Sequence, residues 1–338
     1  MRIFVYEWAT GGGLVEEPGP LPATLVREGA GMIGALVADF QRMPGCRVVA
    51  FRDPRIVQLA LGNCELIEVL SRFEHDEEFE RVAVSADATI LIAPEFDGIL
   101  GRLARRVITA GGRLLSPSPA FIRIAGDKQR TCEALQTANV RTPEGVVLES
   151  DEPLPADFPY PAVAKPIDGA GSQDTYFVRG QHDKPPAYAW RRRLERFVPG
   201  MAASAAILCG PKGQLSLPPC KQRISEDGRL RYLGGELPLA PGLAERAQTL
   251  AVSAVAALPP AVGYVGVDLV LGREPDGSED FVIEVNPRLT TSYVGLRAAT
   301  RSNLAEAMWH ISQGESRNVE FGDRHIEFDS SGNVSFLR

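Results

Sequence analysis

Two carboxylates stand where apolar strands would normally exclude them: Asp268 inside VGVDLVL and Glu284 inside FVIEVNP. Moving an ionised carboxylate out of water is costly unless something compensates the charge. Glu284 and Asn286 alternate along an extended strand, so both side chains point to one face. Two carboxylates and an amide oxygen form a hard, all-oxygen donor set, suited to magnesium that also holds phosphate oxygens. The competing expectation is a structural ion pair with Arg288 or another arginine.

The lysines carry a second signal. Of 36 basic residues only five are lysine: Lys128, Lys165, Lys184, Lys212 and Lys221. A coding bias toward arginine explains the ratio. It does not explain the exceptions, and a compact ammonium is not replaced by a guanidinium fork at a crowded phosphate. Lys165 ends a strand-like run and precedes Gly169, Gly171 and Ser172, a loop whose backbone N–H groups can approach phosphates closely. The GxxxxGK[ST] spacing is absent, so this is not a P-loop. Lys128, after Asp127, reads by itself as a surface helix residue. Lys221 and Arg223 alternate in PPCKQRI, which predicts a cationic pair on one strand face. Lys184 and Lys212 lie in turn-like polar loops.

The elements that must position these groups follow from periodicity. RIFVY at 2–6 reads as a buried strand ending in Gly11-Gly12-Gly13, followed by a helix over 24–42. RVVAF, ELIEV and ATILIAP alternate with helices near 74–85 and 97–111, which predicts a parallel α/β layer over 1–115. SPSP at 116–119 punctuates the chain. One helix is expected over 119–139, then short strands with many turns to 240, an antiparallel α+β pattern. A helix over 242–258 precedes the strand pair bearing Asp268 and Glu284, and a last helix fits 303–313.

The ordered set is far more specific than its parts. Asp127-Lys128, Lys165 with its glycine loop, Glu195-Arg-Phe-Val-Pro-Gly200, Asp268 and Glu284-x-Asn286-Pro-Arg288 together resemble the ATP-grasp superfamily. The resemblance implies a two-lobed ATP-grasp fold, 116–190 and 191–338, behind a Rossmann-like pre-ATP-grasp domain. It makes Lys128 and Lys165 the phosphate lysines and sets Glu195, Phe197 and Val198 along the adenine, largely through backbone groups. Asp268, Glu284 and Asn286 would carry magnesium, or manganese in its place. Many members follow the adenine linker with an acidic residue for the ribose hydroxyls; here GMAASAA offers only Ser204. YEWATGGG, LVREGAGMIGALVADF, LIAPEFDGIL and EVNPRLTTSYVGL resemble a narrower ATP-grasp group that includes the tyramine–L-glutamate ligases. That likeness sets Glu7, Thr10, Gly11, Gly12, Gly13, Glu28, Glu95, Thr290, Thr291 and Ser292 near the substrate.

The activity so implied is an ATP-dependent carboxylate–amine ligase working through an acyl phosphate. Its expected partners are ATP and small-molecule carboxylate and amine substrates, glutamate and a tyramine-like amine first among them. Arg288 is the first expectation for holding the transferring phosphoryl group, with Lys221 or Arg223 second. No general base is evident, and water, phosphate or an N-terminal-domain carboxylate such as Glu95 are the alternatives for taking the amine's proton. Tyr293, Leu296 and Trp8 would wall the aromatic ring, with Arg297 beside them. The resemblance points to one-carbon cofactor biosynthesis of the methanofuran type. The competing readings are an ATP-grasp ligase of another amino acid or cofactor glutamylation, an ATP-grasp kinase and a non-catalytic nucleotide-binding module; a full magnesium triad argues against the module.

Other patterns are set aside. Arg191-Arg192-Arg193 with Arg196 reads as a solvated face, and His75, His182, His310 and His325 lack metal spacing. Ser116 and Ser118 precede prolines and suit turns; neither GxSxG nor a dinucleotide GxGxxG occurs. A net charge of −7 gives no case for nucleic acid. The sequence shows no apolar run long enough for a membrane span and reads as lacking a secretory leader. Five scattered cysteines suit reduced thiols in a cytoplasm. A homodimer is left open.

Overall fold

The computed structural model describes residues 1–169, 173–186 and 189–336. The chain begins with strand β1 (Arg2–Glu7), helix α1 (Ala23–Gln41) and strands β2 (Arg47–Arg52) and β3 (Glu65–Glu68). Helix α2 (Arg72–Ser85), strand β4 (Ala88–Ile92) and helix α3 (Ile99–Thr109) follow. The four strands form a parallel sheet in the order β3-β2-β1-β4. β1 is apolar on both faces because both are covered. Ile3 and Val5 pack with Ile33, Leu36 and Phe40 of α1. Phe4 and Tyr6 pack with Phe79 of α2 and Leu103 of α3. Alternation therefore delivers Glu7, at the end of β1, to the α1 side.

The helix expected over 119–139 is two helices, α4 (Pro119–Ala125) and α5 (Lys128–Thr137). Asp127 is the cause: its carboxylate accepts from the N–H groups of Gln129 and Arg130 and starts a new helix. Lys128 is thereby the first residue of α5, and it is buried. Ser118 caps α4 in the same way, and Ser116 Oγ accepts from Leu91 N–H, so both serines serve the backbone.

Strands β5 (Gly145–Leu148), β6 (Ala162–Pro166), β7 (Tyr176–Val178) and β8 (Arg192–Arg196) form an antiparallel sheet ordered β5-β8-β6-β7. This sheet runs past the expected boundary at 190. The arginine run is a solvated face only in part: Arg191 and Arg196 are exposed as expected, but Arg192 and Arg193 are buried. Arg193 donates to Pro143 O (3.1 Å) and Cys132 Sγ (3.2 Å) and also bonds Gln129, so its donors are used inside the fold.

The largest sheet contains β9 (Met201–Gly210), β10 (Gly213–Ser216), β11 (Cys220–Ile224) and β12 (Tyr232–Leu237). After α6 (Pro241–Ala256) come β13 (Gly263–Leu271) and β14 (Phe281–Asn286), and the sheet is completed by β15 (Ile326–Asp329) and β16 (Val334–Phe336). α7 (Ser292–Ala299), which periodicity did not reveal, and α8 (Leu304–Ser312) lie between β14 and β15. Ala205, Ile207, Val265 and Val267 pack on the alanines of α6. Leu208 and Tyr264 face the other way, into a core shared with α7, α8 and α1. One apolar core thus joins the N-terminal layer to the large sheet, and the cleft opens beside it.

Candidate active site

A cleft of about 960 Å³ opens between the parallel layer, the small sheet and the large sheet. Its chemistry is divided along its length.

At one end stand the two buried lysines. Lys128 Nζ donates to Gly169 O (2.6 Å) and lies 2.9 Å from Glu284 Oε1. Lys165, on β6, is ion-paired with Glu195 of β8, which Arg193 also approaches at 3.3 Å. Phe197 and Val198 follow β8 and line the cleft, with Phe177 of β7 edge-on to Phe197 at 5.0 Å. Apolar walls beside buried ammonium groups suit a flat heterocycle joined to an anion. Gly169 lines this end; the expectations for Gly171 and Ser172 lie outside the described residues. Ser204 sits on β9 opposite Asp268, deep beside the carboxylates.

In the middle, Asp268 and Glu284 are cross-strand partners on β13 and β14. A bulge there leaves Ile283 unpaired, and bulges re-aim side chains at such places. Glu284 and Asn286 both face the cleft, as alternation predicts. Asp268 accepts from Gln222 Nε2 (2.7 Å) and Asn286 Nδ2 (3.0 Å), which are neutral donors. Burial, then the neighbouring Glu284 charge, push its carboxyl up to about 6. Burial raises Glu284 as well, but the Lys128 and Lys165 ammonium groups outweigh it and hold the carboxyl below its ordinary value. No cluster of three or more His, Cys, Asp or Glu that suits a metal occurs among the described residues. The candidate set is two carboxylates and an amide. An under-compensated buried Asp268 beside a second carboxylate fits a hard divalent cation.

Arg288, beyond β14, is held by Glu95: its Nε lies 2.9 Å from Oε1 and its Nη2 donates to Oε2 at 3.1 Å. This corrects the arginine ion-pair alternative, since the arginine serves Glu95 rather than Asp268 or Glu284. Burial opposes the charge on Arg288, but Glu95, Glu284 and Asp268 hold its pKa above the ordinary value. Glu95 sits behind Arg288 and does not line the cleft.

The far end is built from the parallel layer. Glu7, Trp8, Glu28 and Met32 line it, facing Thr290, Thr291 and Ser292. Thr290 Oγ1, Ser292 Oγ and the Tyr264 hydroxyl hydrogen-bond one another at 2.8–3.0 Å. Gly266 makes room for them, since a Cβ there would meet Thr290 Cγ2 at 2.6 Å.

Several expected residues are elsewhere. Lys221 and Arg223 share one face of β11, as alternation requires, but it is the face turned from the cleft; they pair with Glu236 and Glu327. Gln222 between them faces the site. Thr10 does not line the cleft but holds Glu7, and Gly12 packs by Val69 and Gly13 by Trp8, away from the cleft, as does Gly11 against Tyr6. Tyr293 and Leu296 are core residues, and Tyr293 and Arg297 both bond Asp39 of α1. His75, expected in a polar run, is buried against Tyr6, whose hydroxyl is 2.8 Å from Nε2. Gln222 and Phe177 are among the lining residues to which the sequence did not point. The strand period was the available signal for Gln222, once one knew which face of β11 looked inward.

The sequence matches the ATP-grasp domain over residues 125–292 and the pre ATP-grasp 3 domain over residues 46–122. It is 26% identical over 322 residues to tyramine–L-glutamate ligase of Methanocaldococcus jannaschii, covering 94% of this chain and 91% of that one. The fold is similar to a crystal structure described as a putative ATP-grasp superfamily protein from Archaeoglobus fulgidus. The TM-score is 0.72 at 22% identity, over 97% of this chain and 91% of that one. It is also similar to an N5-carboxyaminoimidazole ribonucleotide synthetase solved with ADP, with TM-score 0.74 at 16% identity, over 96% and 80% of the two chains. Among the described residues no helix is long and apolar enough to cross a membrane.

Proposed function

We propose that this chain, which belongs to the ATP-grasp family, is a carboxylate–amine ligase that joins glutamate to tyramine or a tyrosine-like amine in the cytoplasm. The observation that carries the reading is the polarity of one cleft. Lysines occupy one end, a carboxylate pair the middle, and the acidic, partly aromatic Glu7–Trp8–Glu28 end lies opposite the lysines. A nucleoside triphosphate suits the lysine end and an aromatic ammonium the acidic end.

In this reading Lys128 and Lys165 hold the phosphates, and Phe177, Phe197 and Val198 enclose the adenine. Asp268, Glu284 and Asn286 hold magnesium, which when bound neutralises phosphate charge. Lys128 and Lys165 then exchange Glu284 and Glu195 for phosphate oxygens. An oxygen of the substrate carboxylate attacks the γ-phosphorus, and ADP leaves. Arg288, fixed by Glu95, steadies the transferring phosphoryl group and the acyl phosphate that results. The amine attacks the acyl carbon, forming the amide and expelling phosphate. Thr290, Thr291 and Ser292 orient the acid, while Glu7 and Glu28 receive the ammonium.

The test is a screen of amino acids and amines, read by ADP release and product mass. Glutamate-dependent ADP formation should rise sharply with tyramine or tyrosine and hardly at all with ammonia or alanine. A product lacking both a glutamyl unit and a phenol would sink the substrate assignment. ADP release indifferent to every amine would point to a kinase instead.

A further inference from the structure

The amine must lose its proton before it attacks, and the carboxylate first expected to take it, Glu95, is occupied by Arg288. Glu7 is differently placed. Its Oε1 accepts from Ala9 N–H (3.1 Å), and its Oε2 from Thr10 N–H (2.7 Å) and the Thr10 hydroxyl (2.6 Å). All three donors are neutral, and among the described residues Glu7 forms no ion pair. The side chain lines the cleft yet is only 5% exposed. Helix α1 is pressed against it: a Cβ at Gly29 would lie 2.4 Å from Glu7 Cδ. A packed helix and a fixed turn therefore aim a carboxylate with no cationic partner into the substrate end.

We propose that Glu7 is the base that accepts the proton of the attacking amine, with Glu28 beside it drawing the ammonium in. The inference rests on the ligase reading. The protonated amine gives one proton to Glu7, and the freed lone pair forms the C–N bond at the acyl carbon. The C–O bond to phosphate breaks, its electron pair leaves with phosphate, and the second amine proton goes to that phosphate. Glu7 then returns its proton to water.

The surroundings set its titration. Burial pushes the Glu7 carboxyl up to about 7, against the Thr10 and Ala9 donors and the Arg288 charge. From β1 the neighbouring titratable group is Tyr6, whose phenol burial and Glu7 both raise. From α1 come Glu28 and Arg27, and from the segments after β14 and β4 come Arg288 and its partner Glu95. A base titrating near the working pH accepts a proton and gives it up again readily.

The experiment compares Glu7→Gln with the wild type under ATP, magnesium and L-glutamate, with tyramine or hydroxylamine as nucleophile. An aliphatic amine is almost wholly protonated at about pH 7.5, whereas hydroxylamine is largely neutral and needs no base. Amide formation should fall about 100-fold or more, while hydroxamate formation falls less than about threefold. The wild-type acid limb should lie near pH 7. Thr10→Val, which removes a donor favouring the charged form, should move that limb upward by roughly half a unit or more. Equal losses with both nucleophiles, unchanged amide formation in Glu7→Gln, or an unmoved limb in Thr10→Val would each overturn the base role. A wild type that makes no hydroxamate from any acid would overturn the ligase reading, and this inference with it.

Discussion

Lys165 is buried and paired with Glu195 beside a glycine loop, while Lys212 is exposed. A guanidinium at 165 keeps the charge but needs the space of a planar fork. Lys165→Arg should weaken ATP binding about tenfold, roughly 1.4 kcal/mol, by calorimetry, and Lys212→Arg should leave it unchanged. Equal tolerance would reduce the scarcity of lysine to coding bias. Asp268 and Glu284 test the cation. Alanine at either should abolish ATP turnover and weaken Mn²⁺ binding, measured by titration, with the circular dichroism spectrum kept. Retention of more than about a tenth of the rate at either position refutes that ligand. Asp268 also sets a pH dependence. Its folded pKa, about 6, is raised above the ordinary carboxyl value, so the native state binds the extra proton. That stabilisation is complete below the unfolded value and is lost as pH rises through about 6. A cation replaces the proton. Added Mn²⁺ should therefore raise the melting temperature more at about pH 7.5 than at about pH 5.5; the reverse order would contradict the site.

At the scale of elements, β8 is decisive. Arg192 and Arg193 are consecutive, so they point to opposite faces of the strand, and both are buried, which shows that both faces of β8 are covered here. Arg193 then spends its donors on a carbonyl, a thiol, an amide and Glu195, and holds in place the carboxylate that pairs with Lys165. Arg193→Met fills similar volume but leaves those acceptors unpaired. It should destabilise the protein by about 3 kcal/mol or more in urea unfolding, and a loss below about 1 kcal/mol would return the arginine run to the surface reading. The α4–α5 break has the same logic on a smaller scale. Asp127 does not touch the cleft; by capping α5 it turns Lys128 inward.

Across the whole molecule, α1 belongs to two structures at once. It packs on β1 and, through Asp39, accepts from Tyr293 (2.8 Å) and Arg297 (2.7 Å) of α7. That junction fixes the distance between Glu7 on the parallel layer and Arg288 on the large sheet. Asp39→Ala leaves the Tyr293 hydroxyl buried and unpaired, which costs about 2 kcal/mol. Thermal unfolding should then separate into two transitions as the N-terminal layer loosens, with KM for the amine rising more than KM for ATP. A single transition, with both constants unchanged, would mean that the apolar core alone sets the geometry.

The sequence by itself determined the strand–helix alternation of the N-terminal layer and marked two carboxylates within apolar strands. Periodicity marks strands and helices locally, and charged groups inside apolar strands announce a compensating partner wherever the chain folds. Asp268 and Glu284 were legible for that reason; Asn286 followed from strand alternation with Glu284, Lys165 stood out by its glycine loop, and Lys128 was singled out only by the family resemblance. Which face of a strand looks into the cleft is not local. Lys221 and Arg223 were correctly assigned to one face of β11, and only the packing of α7 and α8 against the large sheet decided that Gln222 has the inward one. Arg193, His75 and Tyr293 were misread on the same ground, because burial depends on what another segment brings against a residue. The tertiary structure alone distinguished Glu7 from Glu95. Both end strands of one parallel sheet, but a distant arginine reached the second, and a glycine in α1 left the first facing the cleft with neutral donors.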